Sequence, residues 1–184
     1  MVIQSLSIAV PASCPNACGF CVSRMHAEDY PNQIEKNKRF RDLYKRDYAD
    51  RLAFARDNGC NSLIFSGSGE PLCNQRFMEE VADLNKALGK PFRILELQTS
   101  GVGLDDEALR WLRSAVRVSI VSLSLSSAWS SAKNAEYNGT PEKLAVDVDA
   151  LCREIKRYDF SLRLSLNMTD EFFPVLCMAQ ITSK

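Results

Sequence analysis

Apolar and polar positions along the chain switch between two periods, and the switches mark out alternating strands and helices. Val2 to Val10 alternates in part and is rich in β-formers, which predicts a first strand. From Glu35 to Asn58, the residues Phe40, Leu43, Tyr44, Tyr48, Leu52 and Ala55 recur at helical spacing, and Gly59 follows where a helix can end. Ser62 to Ser66 is a short apolar run and the second strand. Phe77, Val81, Leu84 and Leu88 share one face of a helix from Phe77 to Leu88 that Gly89 closes. Phe92 to Gln98 reads as a third strand and Asp105 to Ala115 as a third helix. Val116 to Leu125 alternates strongly and gives the fourth strand. The polar segment Ser126 to Thr140, punctuated by Trp129 and Tyr137, is expected to be a long loop with a functional role. Thr140-Pro141-Glu142 has the form of an N-cap, a proline at the first helical position and an acidic first turn. A helix is expected to run from there to about Tyr158. Phe160 to Leu166 is the fifth strand, and Glu171 to Gln180 opens a further helix.

Five β-α repeats without a linker imply an α/β fold with a parallel sheet. A partial (β/α) barrel and an open doubly wound sheet both satisfy the pattern; a full eightfold barrel does not, because the chain ends soon after strand five. Either way, the residues that follow each strand gather at one edge of the sheet, where such folds bind ligands. That edge collects the run Cys14 to Cys21 after strand one and Ser66-Gly67-Ser68-Gly69-Glu70-Pro71 after strand two. Gln98-Thr99-Ser100-Gly101 follows strand three, Ser124 and Ser126 end strand four, and Asn167 ends strand five.

Composition narrows the classes without choosing among them. The 184 residues are expected to form one domain, 46% apolar and 25% charged, which is ordinary for a globular chain. Zero formal net charge gives no global pull toward nucleic acid or anionic membrane. No apolar run reaches the roughly 20 residues of a spanning helix, and the N-terminus lacks a leader pattern, so the expected location is cytoplasmic. Seven cysteines in such a chain point to reduced thiols and metal ligation rather than a disulfide framework.

Cys14, Cys18 and Cys21 have C-x3-C-x2-C spacing, so three soft donors can reach one face of a soft metal centre. Zinc is the competing reading, with His26, the single histidine, completing a Cys3His tetrahedron. It explains neither Phe20 nor the Ser66–Pro71 loop. Cys60, Cys73, Cys152 and Cys177 show no paired spacing and read as small apolar residues, with Cys73 set apart because it follows Pro71. Lys36, Lys38, Arg39, Arg41, Lys45 and Arg46 read as a solvated helix face; the functional version is a dock for an acidic reductant or a phosphorylated substrate.

The chain resembles a radical S-adenosylmethionine (radical SAM) enzyme from Val2 to about Asp170. Cys14, Cys18 and Cys21 match that family's cysteine motif, Phe20 matches the aromatic position before the third cysteine, and Ser66 to Pro71 is similar to its glycine-glycine-glutamate segment. The resemblance implies a [4Fe–4S] cluster held by the three cysteines, with S-adenosyl-L-methionine chelated to the fourth iron. Gly67, Ser68, Gly69 and Glu70 would meet the methionyl ammonium through backbone carbonyls or the Glu70 carboxylate. Phe20 would lie beside the adenine, Ser124 or Ser126 would reach the ribose or the carboxylate, and Asn167 the ribose. Reductive cleavage would give a 5′-deoxyadenosyl radical that takes hydrogen from a substrate, small molecule or protein, as in small activating enzymes. A one-electron reductant such as flavodoxin is the implied partner. The alternative is a non-catalytic iron–sulfur or zinc-binding protein on the same scaffold. Two departures stand out. The family core has six β-α units, so a sixth strand is expected to be cut away or supplied by a partner. Arg163-Leu164-Ser165-Leu166-Asn167 replaces a glycine-rich motif near adenine.

Overall fold

A computed structural model describes residues 4–25, 41–127, 129–167 and 169–170. Their strands are β1 (Leu6–Val10), β2 (Ser62–Gly67), β3 (Ile94–Thr99), β4 (Ile120–Leu125) and β5 (Ser161–Leu166). Their helices are α1 (Arg41–Asp57), α2 (Gln75–Ala87), α3 (Asp106–Trp111), α4 (Ser131–Tyr137) and α5 (Val148–Arg157). The strands form one parallel sheet in the order β1-β2-β3-β4-β5. Strictly sequential order has no reversal point, which excludes the doubly wound alternative and leaves the open partial barrel.

Register separates the two faces of that sheet. Residues opposite one another in adjacent strands share a face, so Ile8, Phe65, Leu97, Leu123 and their alternate neighbours point one way. That face is the core, where Phe65, Leu97 and Leu123 are fully buried with Leu52, Met78, Leu109 and Ile155 from the helices. The opposite face lines the inside of the partial barrel and is largely polar. Gln98, Ser122 and Arg163 stand abreast across β3, β4 and β5, and Ser124 pairs with Ser165 one step nearer the carboxyl edge. Arg163 pairs with the buried Glu96 carboxylate, which also accepts from Gln98 Nε2 at 3.2 Å, while Arg163 Nε donates to Ser122 Oγ at 3.2 Å. A parallel sheet is ordinarily apolar on both faces. Here the inner face carries hydrogen-bonding groups instead.

Most predicted elements are present with shifted ends. The first strand starts at Leu6, and Val2 lies outside the described residues. The third helix overruns Ala115 because Leu112–Val116 adds a wider turn, ended by Arg117 at φ 65°, and so the fourth strand begins only at Ile120. The first turns of the predicted first helix, Glu35–Phe40, and the predicted helix Glu171–Gln180 lie outside the described residues.

The Thr140–Tyr158 helix is not one helix. Thr140-Pro141-Glu142 opens a single 3-10 turn, Glu142–Leu144, and Ala145 is extended (φ −60°, ψ 137°). Asp147 is the true N-cap of α5, its Oδ1 accepting from Ala150 N at 2.9 Å. A carboxylate there also faces the helix dipole, which a threonine cannot match. The supposed loop before it contains α4, capped by Ser130 Oγ accepting from Lys133 N at 3.3 Å. Asp147→Ala is therefore expected to cost about 1 kcal/mol in urea unfolding. Pro141→Ala should lie within about 0.5 kcal/mol of wild type; a larger loss at Pro141 than at Asp147 would restore the longer helix.

Candidate active site at the carboxyl edge

The loop after β1 carries the three cysteines, each half-buried. Cys21 N donates to Cys18 O at 3.2 Å, and Arg24 N and Met25 N donate to Cys21 O at 2.9 and 3.1 Å, which coils the chain beyond the third cysteine. Burial pushes the Cys18 thiol up, and the neighbouring Cys14 and Cys21 add to it by charge repulsion. Burial likewise raises Cys14, with Glu70 and Cys21 adding. Among the described residues, no three ligating side chains are closed to metal-holding distance. The donor set fits an iron–sulfur cluster. Three soft thiols within eight residues of one loop are the donors such a cluster takes, and binding it displaces their protons. His26 and Cys177 lie outside the described residues, as do the side chains of the basic run from Lys36 to Arg46.

The loop after β2 is fastened to this one. Glu70 N donates to Ser13 O at 2.7 Å, and Asn74 Nδ2 donates to Pro11 O at 3.2 Å. Gly69 packs so tightly that a Cβ would collide with Pro11 O and approach Ser13 N to 2.6 Å. Gly67 has φ 112°, and a Cβ there would lie 2.8 Å from Ala9 Cα. Contacts within the protein thus demand both glycines, before any ligand is considered.

The Glu70 carboxylate turns into the fold. It is 4% exposed, and it accepts from Thr99 Oγ1 (2.6 Å), Ser100 Oγ (2.8 Å), Ser100 N (3.0 Å) and Leu72 N (3.4 Å). It therefore ties the β2 loop to the end of β3. Burial lifts this carboxyl above its ordinary range, and the four hydrogen bonds offset the shift only in part. A folded pKa above the unfolded one means the native chain keeps a proton that the unfolded chain has released. The contribution to stability is full below the unfolded value of about 4.3 and is lost as pH rises through the folded value. Acidifying from about pH 7 to about pH 5 is thus expected to stabilise wild type relative to Glu70→Gln. Parallel urea-unfolding profiles of the two proteins would contradict that.

At the ends of β4 and β5, Ser126 is fully buried and faces inward. Its Oγ donates to Asn138 Oδ1 at 2.7 Å and accepts from Asn167 Nδ2 at 2.9 Å. Ser124 is half-buried on the polar inner face, and Phe20 is 47% exposed on the cysteine loop. Cys73 reaches the surface; burial raises its thiol, with Glu70 and Cys14 contributing. Cys60 is buried, as a small apolar residue would be. Two features escaped the sequence reading. The pairing of Glu96 with Arg163 needs the strand register, and the docking of Asn138–Thr140 onto the cysteine loop joins distant segments.

Residues 8–170 match the model of the Radical SAM superfamily.

The chain belongs to the radical SAM superfamily.

This family uses a [4Fe–4S] cluster and S-adenosylmethionine. Among solved structures, a histidine-tagged anSMEcpe with bound AdoMet is similar at TM-score 0.62 and 19% identity, over 95% of this chain and 46% of that one. Native anSMEcpe with bound AdoMet and the Cp18Cys peptide gives 0.60 and 18%, over 95% and 45%. SuiB of Streptococcus suis bound to precursor peptide SuiA gives 0.59 and 17%, over 97% and 36%. At these identities the likeness is one of fold, and this radical SAM chain spans less than half the length of those proteins. No curated protein matches it. Among the described residues, no helix is long and apolar enough to cross a membrane.

Proposed function

We propose that this chain binds a [4Fe–4S] cluster through Cys14, Cys18 and Cys21 and reductively cleaves S-adenosylmethionine. The observation that carries the reading is the convergence at one edge. The cysteine loop, the Gly67–Glu70 loop and the Ser126–Asn167 pair are joined there by direct hydrogen bonds or shared neighbours. Cys14, Cys18 and Cys21 would hold the cluster, which when bound would supply one-electron chemistry for reductive cleavage of the C5′–S bond and hydrogen abstraction from a substrate.

The chain's own residues hold and orient. Backbone carbonyls of Gly67, Ser68 and Gly69 suit the methionyl ammonium, because a glycine-rich loop lets a small zwitterion come close. Glu70 braces that loop from beneath through Thr99 and Ser100. Phe20 offers a flat apolar surface to adenine, and Ser124 and Asn167 offer hydrogen bonds to ribose or carboxylate. The polar inner face, with Gln98, Ser122, Arg163 and Ser165, is where the substrate would lie next to the radical. A one-electron donor of the flavodoxin type would reduce the cluster.

Anaerobic reconstitution with iron and sulfide tests the proposal. The expected product is a brown protein that releases 5′-deoxyadenosine with dithionite and S-adenosylmethionine. A colourless chain with one tightly bound zinc would sink it. A fully loaded cluster that yields no 5′-deoxyadenosine would favour a non-catalytic iron–sulfur protein.

A further inference from the structure

Resting on that reading, we propose that Asn138-Gly139-Thr140 is a positioning clasp that anchors the spacer of the cysteine loop and so sets where Cys14 and Cys18 stand when they close on a cluster. The turn follows α4 and meets the spacer between the first two cysteines. Ala17 N donates to Asn138 O at 3.0 Å and to Gly139 O at 3.2 Å. Thr140 Oγ1 donates to Asn16 Oδ1 at 3.0 Å; the Cys18 thiol also donates to Asn138 O at 3.3 Å, a bond given up when the thiol loses its proton to a metal. Three consecutive residues of the turn thus grip Asn16 and Ala17, next to Cys18, without using the thiol.

The clasp is itself anchored. Asn138 is 4% exposed, and its side chain accepts from Ser126 Oγ at the end of β4. Asn134 Oδ1 accepts from Ser126 N at 2.8 Å and from Ser127 N at 3.3 Å, which fixes α4 to the same strand end. The path from the cysteine loop to the sheet is therefore short and buried.

Gly139 makes the grip close. It sits at φ 54°, and a Cβ on it would lie 2.8 Å from Ala17 O and 2.9 Å from Ala17 C. Those are backbone atoms, so they cannot swing aside as a flexible side chain does. A side chain at position 139 must push the spacer away from the turn. Three donors on one loop bind a metal only when the loop conformation lets them come together, so displacing the spacer moves Cys18 relative to Cys14 and hinders that closure.

Two substitutions at position 139 separate this from a merely structural role. Asparagine tolerates positive φ better than alanine, whereas both carry the obstructing Cβ. Wild type, Gly139→Ala, Gly139→Asn and Thr140→Val are reconstituted anaerobically. Iron per chain and the electron paramagnetic resonance spectrum of the dithionite-reduced cluster are compared. Circular dichroism shows that each variant is folded, and hydrogen exchange of the Cys14–Cys18 segment is followed in the metal-free proteins. Both Gly139 variants are expected to bind less than about half the wild-type iron, with an altered spectrum and faster exchange confined to the cysteine loop. Thr140→Val should change the same readouts in the same direction by less. Wild-type iron, spectrum and exchange in both Gly139 variants overturn the clasp, as does full rescue by asparagine. Should wild type itself take up no iron, the proposed function fails and the clasp's metal-positioning role fails with it. Failure of the clasp alone shows as loaded wild type beside equally loaded variants.

Discussion

Cys18→Ala is expected to lose most of its bound iron and to release 5′-deoxyadenosine only at background level after anaerobic reconstitution. In the proposed site three cysteines hold three irons, so removing one leaves a site that two thiolates cannot close. The same change at Cys14 or Cys21 should act alike, because all three stand half-buried on one loop. Two controls make the result specific. Cys60 is buried with its thiol donating to Ser62 O at 3.3 Å, so Cys60→Ala should alter stability and leave iron untouched. Cys73→Ala should likewise keep its iron, because Cys73 follows β2 and lies outside the C-x3-C-x2-C run. Uptake should also depend on pH with a definite sign. Burial holds the Cys14 and Cys18 thiols protonated, so loading releases protons and weakens as pH falls. Full iron and undiminished 5′-deoxyadenosine from Cys18→Ala would remove the cluster from this loop.

The parts of this site that the sequence exposed are those whose chemistry is local. Cys14, Cys18 and Cys21 fall within eight residues after strand one, and Gly69-Glu70-Pro71 is a contiguous loop after strand two, so strand order was enough to put them on one edge. The period-two alternation of Val116–Leu125 also survives, as the buried Val121, Leu123 and Leu125 against the inner Ser122 and Ser124. What stayed hidden depends on partners far apart in the chain. Cys18 and Asn138 are 120 residues apart, and nothing in Tyr137-Asn138-Gly139 beyond a turn signal names the loop it meets. Thr140 misled for a related reason. A threonine before Pro-Glu is a good local cap signal, but its hydroxyl is engaged with Asn16, and Asp147 caps the helix instead. Glu70 illustrates the limit within a legible motif. Its position was readable, whereas the inward turn of its carboxylate toward Thr99 and Ser100 depends on how β2 and β3 are placed side by side.

That inward bracing leads to the largest expected effect on stability. Gly69→Ala should cost about 3 kcal/mol, because the new Cβ meets backbone on every side. Pro11 O, Ser13 N and Ser13 O all lie within its contact distance, and none can move without shifting the chain that leads into Cys14. Backbone conformation is not the cause, since Gly69 is absent from the glycines with positive φ. Gly103→Ala separates the two effects. Gly103 has φ 80°, and the nearest atom to an added Cβ is Leu72 Cβ at 3.9 Å, so only conformational strain of about 1 kcal/mol is expected there. Urea unfolding of both variants should therefore show the larger loss at Gly69. The same displacement would break the Glu70 N to Ser13 O bond and part the two loops, so S-adenosylmethionine binding should fall with stability in Gly69→Ala and stay unchanged in Gly103→Ala. Equal losses at the two glycines would mean that the close approach of Gly69 to Ser13 contributes nothing to the fold.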